Sequence, residues 1–225
     1  ITKEYIMKKN KTAIILGSGL YEIVKDTIIE EERSYDQIPN FKPCQVKGHQ
    51  GKMIIGEIKN QPVICCLGRP HWYEGRQPQE FLSYVKELKN LGATSIIVTH
   101  CSGGLNPNFK AGTMMVVKDH INWQFKSPLM GVPEDGRSRF LNMDKVYDSD
   151  IREALKSAAD SIGLKLEEGV YMGVQGPCFE TPAEVKVFQM LGADTVAMSS
   201  IPEIIAARYY GLDVGMISVV VNQGA

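Results

Sequence analysis

The sequence predicts an α/β fold, a three-layer sandwich in which helices flank a central mixed β-sheet. Apolar runs rich in β-branched residues alternate with segments of helical periodicity along most of the chain. Two early runs lie close enough together to form a hairpin, which adds antiparallel pairing to the sheet. The 225 residues, 44% hydrophobic and 23% charged, suit one globular domain, and neither a linker nor an internal repeat divides them.

Strands are predicted where short, apolar, β-branched runs occur. The second and third runs flank the turn-like Lys59-Asn60-Gln61 and form the expected hairpin. The predicted strands cover residues 12–16, 53–58, 62–67, 95–99, 113–117, 169–173, 195–197 and 214–221.

Helices are predicted at residues 78–91, 150–162, 182–191 and 202–210. Three of them have proline near the first turn, where the missing N–H of proline costs no hydrogen bond. Gly192 and Gly211 follow two of them and suit the left-handed position that ends many helices. The stretch 127–136, rich in Pro and Gly, is expected to be a long loop.

The charge balance and hydropathy argue against two classes of protein. Lys and Arg number 25 and Asp and Glu 26, a net charge of -1, whereas nucleic-acid-binding proteins usually carry a basic excess. No apolar run approaches the roughly 18–20 residues of a membrane helix, and residues 1–11 lack the apolar core of a secretory signal. We therefore expect a cytoplasmic protein whose partners include neither nucleic acid nor a membrane.

Cysteine and histidine spacing predicts neither disulfides nor a metal site. The cysteines (Cys44, Cys65, Cys66, Cys101 and Cys178) are odd in number and lack a CxxC pair, so we expect them to be reduced and mostly buried. Cys65 and Cys66 are adjacent in a predicted strand and should point to opposite faces of the sheet. None of the histidines has a second ligand at a spacing typical of zinc sites.

Gly17-Ser18-Gly19 directly follows the first predicted strand. The glycines allow backbone amides to approach an anion, and the Ser18 hydroxyl can add a hydrogen bond. The segment is neither a GxGxxG motif nor a P-loop. Taken alone, it is more simply interpreted as a tight turn between a strand and a helix.

A denser group of polar residues, from Gly68 to Gly75, follows the strand that ends at residue 67. Arg69 and His71 are two positions apart and share a face in an extended chain. A guanidinium and an imidazole on one face suit a phosphate, because arginine can fork onto two of its oxygens. Tyr73 points the same way and can contact a sugar. The alternative is a surface loop with incidental charge.

A third glycine-containing segment, residues 99–104, also follows a predicted strand, and its small residues allow backbone amides to face an anion. Three such turns are expected to converge on one edge of the sheet, at the carboxyl ends of the strands, where ligands bind in open α/β sheets.

Two further polar positions lie near predicted element ends. Glu180 precedes a helix that Thr181 and Glu184 can close with a capping box. The Glu180 carboxylate can accept hydrogen bonds from the N–H groups of a heterocycle; alternatively, it only stabilises the helix dipole. Asn222 ends the last predicted strand, and its amide offers the donor and acceptor that a purine edge requires, although a turn residue is the simpler reading.

From about Lys11 to Asn222 the chain resembles the trimeric-type purine nucleoside phosphorylases. The motifs occur in the family's order and together are very specific. They are Leu16-Gly-Ser-Gly-Leu20, Gly48-His-Gln-Gly51, Gly68-Arg-Pro-His-Trp-Tyr-Glu-Gly75, Gly103-Gly-Leu-Asn-Pro107, Asp119-His-Ile-Asn122, Gly176-Pro-Cys-Phe-Glu-Thr181, and Met198-Ser199 followed by Pro202-Glu203.

The resemblance implies phosphorolysis, in which inorganic phosphate attacks C1′ of a purine nucleoside and releases the base and ribose 1-phosphate. It implies purine salvage, no metal and no organic cofactor. The phosphate-binding residues it implies are Ser18, His49, Arg69, His71, Cys101 (through its backbone) and Ser199. The nucleoside-binding residues it implies are Tyr73, Phe140, Phe179, Glu180, Met198 and Asn222. Glu180, Asn222 and His71 are the expected catalytic residues.

The resemblance also implies a homotrimer, because Phe140 matches an aromatic residue that reaches into a neighbour's site. His49 matches a histidine on a mobile loop near the phosphate. Glu180 can accept from N1–H of a 6-oxopurine, whereas adenine has no N1–H. At such a site this mismatch costs on the order of 10⁴-fold in selectivity, so inosine and guanosine are the predicted substrates.

Some positions depart from the family pattern. The family commonly has Asn and Ala where His100 and Cys101 stand, and a titratable side chain at position 100 affects the expected phosphate affinity. Gln223 also differs from the usual Lys, Leu or Met. Residues 1–10 are expected to be an N-terminal extension or tag remnant, and residues 11–225 a single domain that lacks the family's C-terminal helical end.

Two alternative functions stay open at this point. The related methylthioadenosine phosphorylases resemble the chain, but typically have Arg and Thr where Cys178 and Ser199 stand, so both positions favour the nucleoside enzyme. A catalytically impaired homologue that binds purine or phosphate is the other alternative.

Overall fold

The computed structural model of the protein describes residues 10–42, 46, 48–131 and 136–224. The extension predicted for residues 1–10 lies, except for Asn10, outside the described residues, as does Cys44. The loop predicted at 127–136 is described up to residue 131 and again at residue 136.

Within the described residues, one sheet contains nine strands in the order β2-β3-β4-β1-β5-β8-β7-β6-β9. Parallel and antiparallel pairs both occur, so the predicted mixed sheet is present. The strands are β1 (Lys11–Leu16), β2 (Ile28–Ser34), β3 (Lys52–Ile58), β4 (Gln61–Leu67), β5 (Ala93–Gly104), β6 (Met114–Asn122), β7 (Leu166–Gly173), β8 (Thr195–Ala197) and β9 (Asp213–Gln223).

The sheet closes on itself at one end. Strand β9 pairs antiparallel with β6 and parallel with β5, so β5, β8, β7, β6 and β9 form a ring. The other end is open, and β3 and β4 form the predicted hairpin there, with Ile58 opposite Gln61. Strand β1 joins the two parts, because it pairs parallel with both β4 and β5.

Four α-helices occur in the described part of the chain, each within one residue of its prediction: α1 (Pro78–Asn90), α2 (Ser149–Ser161), α3 (Pro182–Met190) and α4 (Ile201–Tyr209). Helices α1 and α4 pack against each other and bury apolar side chains on the sheet, whereas α2 packs on β6, β7 and β9. Helix α3 covers a separate apolar cluster through Val185 and Phe188. The predicted sheet flanked by helices is therefore confirmed.

One strand was missed in the sequence. Strand β2 pairs with β3 at the edge of the sheet, and its sequence, Ile-Ile-Glu-Glu-Glu-Arg-Ser, lacks the apolar alternation of a buried strand. Nearly all of its residues are exposed, including Ile28 at 66%. Charged side chains are typical of edge strands because they discourage pairing with another chain, so periodicity gave no signal here.

The two adjacent cysteines face opposite sides of the sheet, as predicted. Cys66 lies in the main core with Ala13, whereas Cys65 packs in a smaller cluster with Leu16. Burial raises the pKa of the Cys66 thiol to about 12. The expectation that the cysteines are mostly buried is wrong for Cys178, which is exposed, and Cys101 is only half-buried; both carry unbridged thiols.

No helix within the described ranges is long and apolar enough to cross a membrane.

Candidate active site

A cleft of about 300 Å³ lies at the carboxyl ends of β1, β4, β8 and β9. This is near the lower limit of the roughly 300–1,000 Å³ typical of small-molecule sites. The residues predicted for the site all line this cleft except Phe140. Those on the cleft wall are Ser18, His49, Arg69, His71, Tyr73, Cys101, Phe179, Glu180, Met198, Ser199 and Asn222.

His71 is held in place by Glu74. The His71 backbone N–H donates to Oε1 of Glu74 at 2.8 Å, and His71 Nδ1 lies 3.1 Å from the same oxygen. The other carboxylate oxygen of Glu74 accepts from Arg76 at 2.9 Å. Burial lowers the pKa of His71, although the hydrogen bond to Glu74 opposes this effect. The imidazole is therefore oriented by its Nδ1–H bond to Glu74, and Tyr73 stacks on it with ring centroids 4.7 Å apart.

His49 lies beside His71, with ring centroids 5.3 Å apart. Its Nδ1 accepts from the backbone N–H of Arg69 at 3.1 Å, and its Nε2 lies 3.4 Å from Oγ of Ser18. Burial and the neighbouring His71 and Arg69 lower the pKa of His49 to about 4. Because Nδ1 is an acceptor, the proton of this neutral ring is on Nε2 and faces the Ser18 hydroxyl.

Two of the predicted glycine turns are present, and each glycine permits a close approach. Gly68 has a φ of +117°, and a Cβ there would lie 2.8 Å from the Cβ of His49. A Cβ at Gly17 would lie 2.9 Å from the Cα of His100. A hydrogen bond also fixes the turn after β1 to β5, because the Gly17 N–H donates to the Thr99 hydroxyl at 3.1 Å. Glycine at these positions therefore lets the walls of the cleft meet.

The third predicted glycine turn is wrong. Residues 99–104 continue β5, and Gly103 and Gly104 pair with both β8 and β9. The glycines permit close strand packing, since a Cβ at Gly104 would lie 3.1 Å from a methyl carbon of Val220. The paired glycines are a turn signal in sequence, but here they close the ring of strands.

Cys101 lines the cleft from within β5 rather than from a turn. Its Sγ lies 3.5 Å from the carbonyl oxygen of Ser18. Burial raises the pKa of the Cys101 thiol, with Arg69 acting in the opposite direction. Because the thiol stays protonated, Cys101 is a small wall residue here rather than a nucleophile.

The guanidinium of Arg69 makes its hydrogen bonds inside the protein. Nη1 donates to Oγ of Ser200 at 2.7 Å, and Nη2 donates to the carbonyl oxygens of Ile15, at 3.1 Å, and Thr99. The side chain is about 1% exposed, although it forms part of the cleft wall. The predicted fork onto two phosphate oxygens thus requires an exchange of partners, since Nη2 already serves two carbonyl groups.

Behind Arg69 lie residues that the sequence analysis did not assign to the site. Glu203 is fully buried, 4.0 Å from Nε of Arg69, and neither of its carboxylate oxygens makes a hydrogen bond within the described residues. Burial raises the pKa of Glu203 to about 7, while the charge of Arg69 lowers it. Ser200 and His100 are also buried there. The sequence signals for this layer were the Pro202-Glu203 motif and the departure from the family pattern at His100.

The segment after β7 and the end of β9 carry the groups predicted to contact a base. Glu180 is half-buried, and the Phe179 ring beside it is 84% exposed. Asn222 is exposed and donates from Nδ2 to the carbonyl oxygen of Gln223 at 2.7 Å. Thr181 and Glu184 form the predicted capping box at the start of α3. Glu180 directly precedes this N-cap, so the capped helix restricts its position.

Met198 and Ser199 directly follow β8 and also line the cleft. The Ser199 hydroxyl is 3.3 Å from that of Ser200. Gly176 has a φ of +69°, and a Cβ there would lie 2.5 Å from Sδ of Met198, so glycine is needed for Met198 to occupy this position.

Phe140 lies outside the cleft and is 82% exposed. No group of three or more His, Cys, Asp or Glu side chains in the described ranges could hold a metal ion.

Comparison with known proteins gives relatives over nearly the whole chain. The model of the phosphorylase superfamily matches residues 11–225. Purine nucleoside phosphorylase 1 of Bacillus subtilis is 37% identical over 224 residues, which cover 99% of this chain and 83% of that protein. Purine nucleoside phosphorylase of Mus musculus is 39% identical over 220 residues, which cover 95% of this chain and 76% of that protein.

Solved structures show the same architecture. A purine nucleoside phosphorylase of Schistosoma mansoni in complex with acetate superimposes with a TM-score of 0.90 and 33% identity, covering 98% of this chain and 83% of that one. A Schistosoma mansoni structure in complex with adenosine gives a TM-score of 0.87 and 32% identity, covering 97% and 78%.

Proposed function

The chain belongs to the phosphorylase superfamily and is a purine nucleoside phosphorylase, and from the chemistry of its cleft we infer that it acts on 6-oxopurine nucleosides. The observation that carries this inference is that one cleft brings together two kinds of group. It contains hydroxyl and imidazole groups with a buried arginine, and it also contains a carboxylate and an amide. We propose inorganic phosphate as the co-substrate, without a metal or an organic cofactor, in a reaction of purine salvage.

The phosphate is proposed to lie against Ser18, His49, His71 and Ser199, with the backbone of Cys101 completing the site. Arg69 supplies the positive charge beneath these groups, because His49 and His71 have lowered pKa values and are neutral near pH 7 in the ligand-free cleft. A dianion would favour the protonated form of His71, which can then donate from both ring nitrogens.

The reaction replaces the glycosidic bond with a C1′–oxygen bond to phosphate. As the bond between C1′ and N9 breaks, its electron pair moves to the purine, and the sugar gains oxocarbenium character. Phosphate held in position brings the nucleophile and its negative charge close to the cationic sugar, for which Tyr73 and Met198 are the proposed contacts. The departing purine anion takes up the proton that hydrogen phosphate carried into the site, and ribose 1-phosphate is released as a dianion.

The base is proposed to stack near Phe179 with its edge toward Glu180 and Asn222. Asn222 can donate to N7 and stabilise the charge that develops on the leaving purine, once Nδ2 exchanges its bond to Gln223. Glu180 can accept from N1–H of a 6-oxopurine. Adenosine would direct a lone pair at this carboxylate, and an unpaired charged group is costly in a partly desolvated site.

We expect the purified protein to release hypoxanthine from inosine only when phosphate is present, and to process adenosine on the order of 10⁴-fold less efficiently in kcat/KM. Parallel assays with inosine, guanosine, adenosine and methylthioadenosine measure this preference. Equal efficiency on inosine and adenosine would refute the 6-oxopurine assignment while leaving phosphorolysis intact. Adenosine is an informative competitor in this test, because a Schistosoma mansoni purine nucleoside phosphorylase has been solved in complex with adenosine.

We also propose a homotrimer in which Phe140 of one subunit completes the nucleoside site of its neighbour. The exposure of this ring, at 82%, is compatible with the proposal, because it leaves most of the ring surface available to a neighbouring subunit.

Phe140→Ala is expected to raise KM for inosine by up to about tenfold, since an aromatic contact is worth roughly 0.5–1.5 kcal/mol, and to leave KM for phosphate within twofold. Ile162→Ala, at a position 76% exposed at the end of α2, is the control and should change neither constant. Steady-state kinetics combined with sedimentation measures both effects. A fully active wild-type monomer would contradict the shared site.

A further inference from the structure

A series of buried polar side chains extends from Arg69 beside the cleft, and His100 and Ser102 in this series also line the cleft. Arg69 Nη1 donates to Oγ of Ser200 at 2.7 Å, and Oγ of Ser200 lies 2.8 Å from Nδ1 of His100. On the other side of the ring, Nε2 of His100 lies 2.9 Å from Oγ of Ser218. Oγ of Ser218 lies 2.7 Å from Oγ of Ser102, with which it forms the next hydrogen bond. These side chains are all at most 3% exposed, so their hydrogen bonds have no competition from solvent.

The direction of each hydrogen bond in this series can be derived by starting from Ser102, its last member. Ser102 donates to the carbonyl oxygen of Val219, so it can only accept from Ser218. Ser218 has then used its one proton and must accept from His100, which places a proton on Nε2. In the neutral ring Nδ1 is therefore an acceptor, and Ser200 donates to it while accepting from Arg69.

Burial and the positive charge of Arg69 keep His100 neutral, since both lower the pKa of its imidazole well below the ordinary value. The remaining face of the ring packs against Tyr171, with centroids 4.6 Å apart. The tautomer derived from the hydrogen bonds is thus compatible with the electrostatics of the site.

Ser200 is held in an uncommon backbone conformation, with φ +75° and ψ -45°. Such a conformation costs a residue other than glycine on the order of 1–3 kcal/mol and persists where surrounding contacts enforce it. Here it places the Ser200 hydroxyl between Arg69 and His100, next to Ser199 on the cleft wall. The strain therefore coincides with a point at which this series of side chains meets the cleft.

We propose that His100 is a positioning residue for phosphate binding: its Nε2–H tautomer fixes the Ser200 hydroxyl as an acceptor, and that hydroxyl holds the guanidinium of Arg69 beneath the anion. The proposal rests on the proposed function, since it assumes that the anion at this wall is phosphate. His100 acts through Ser200 and Arg69 and needs no contact with the anion. A side chain without ring nitrogens would leave the Ser200 hydroxyl able to rotate away from Arg69.

The test is calorimetric titration of the full chain with inorganic phosphate in the absence of nucleoside. His100→Phe keeps the ring that packs on Tyr171 but removes both nitrogens. It is expected to raise the Kd for phosphate about tenfold, the effect of losing one buried hydrogen bond, and to leave KM for inosine at saturating phosphate within twofold.

His120→Phe is the matched control. His120 is another largely buried histidine, whose Nδ1 lies 2.9 Å from the hydroxyl of Tyr147, and this change should leave the phosphate Kd unaltered.

A second variant and a spectroscopic measurement keep the proposal open to refutation if His100→Phe does not fold. Ser218→Ala removes the acceptor of the Nε2 proton and should raise the phosphate Kd by about threefold. Nitrogen–proton correlation spectra of the wild type should show His100 as the Nε2–H tautomer, and Ser218→Ala should reduce that population.

The outcomes separate this proposal from the proposed function. Wild-type protein that binds phosphate, together with a folded His100→Phe variant of unchanged affinity, would overturn only the positioning role. An Nδ1–H tautomer in the wild type would do the same. Wild-type protein that neither binds phosphate nor cleaves inosine would overturn the proposed function, and this proposal with it.

Discussion

Glu180→Ala is expected to lower kcat/KM for inosine by roughly 10- to 10²-fold, because a hydrogen bond to a charged group contributes about 1.5–3 kcal/mol. The half-buried side chain of Glu180 lines the cleft just before α3, so its removal opens space without disturbing a core. We expect the KM for phosphate and the midpoint of thermal unfolding to change little. Steady-state kinetics with each substrate varied in turn measures this effect.

Glu184→Ala is the matched control for this change. Glu184 lies four positions further on, is exposed, and accepts from the Thr181 backbone in the capping box. Its removal should weaken the start of α3 and leave inosine turnover unchanged. Glu180→Gln adds a second discriminating variant, because its amide can donate to N1 of adenine, and the ratio of inosine to adenosine efficiency should fall. Inosine turnover within a few-fold of wild type in Glu180→Ala would remove Glu180 from base recognition.

Arg69→Ala is expected to have the largest combined effect on binding and stability. It removes the positive charge beneath the anion site and should weaken phosphate binding by roughly 10²-fold. It also removes the charge that holds down the pKa of Glu203, so this buried carboxyl takes up a proton. The loss of Arg69 removes a buried hydrogen-bond donor from Ser200 and from two backbone carbonyl groups, which costs about 1–3 kcal/mol for a group left unsatisfied. The two effects need separate measurements, namely phosphate titration and denaturant unfolding.

The double variant Arg69→Ala/Glu203→Gln separates them. It removes both charges, so the free energy of unfolding should recover in part, whereas phosphate binding should stay weak. If the double variant regains phosphate affinity along with stability, Arg69 does not contribute to the anion site.

Glu203 also gives the protein a specific dependence of stability on pH. Its pKa rises from 4.5 to about 7 on folding, chiefly through burial. Between these pH values the folded state keeps a proton that the unfolded state releases, so the free energy of unfolding falls as pH rises through this window. Over this pH range the free energy of unfolding of the wild type should fall by on the order of 3 kcal/mol more than that of Glu203→Gln. Unfolding in urea at several pH values from 4.5 to 8 measures the difference, and parallel curves for the two proteins would exclude it.

Most of the fold could be predicted because its signals are local. The four helices carry proline at the start or glycine at the end and matched their predictions within one residue. The buried strands are runs of β-branched residues that no other element accommodates as well. Strand β2 escaped prediction because an edge strand with exposed, charged residues follows no core-facing alternation. The ring closed by β5 and β9 also left no signal, since strand pairing between distant segments depends on the whole sheet.

The sequence by itself determined the helices, most strands and many of the residues that line the cleft, because caps, β-branched runs and motifs are written in consecutive positions. Only the tertiary structure decided how those residues are supported. Residues 99–104 became strand rather than turn, Arg69 was directed toward Ser200 and two carbonyl groups, and His100 joined Ser200 to Ser218 across segments about a hundred positions apart. Such partners have no sequence spacing, because burial and the one-proton limit of each hydroxyl select them only once the strands have been brought together.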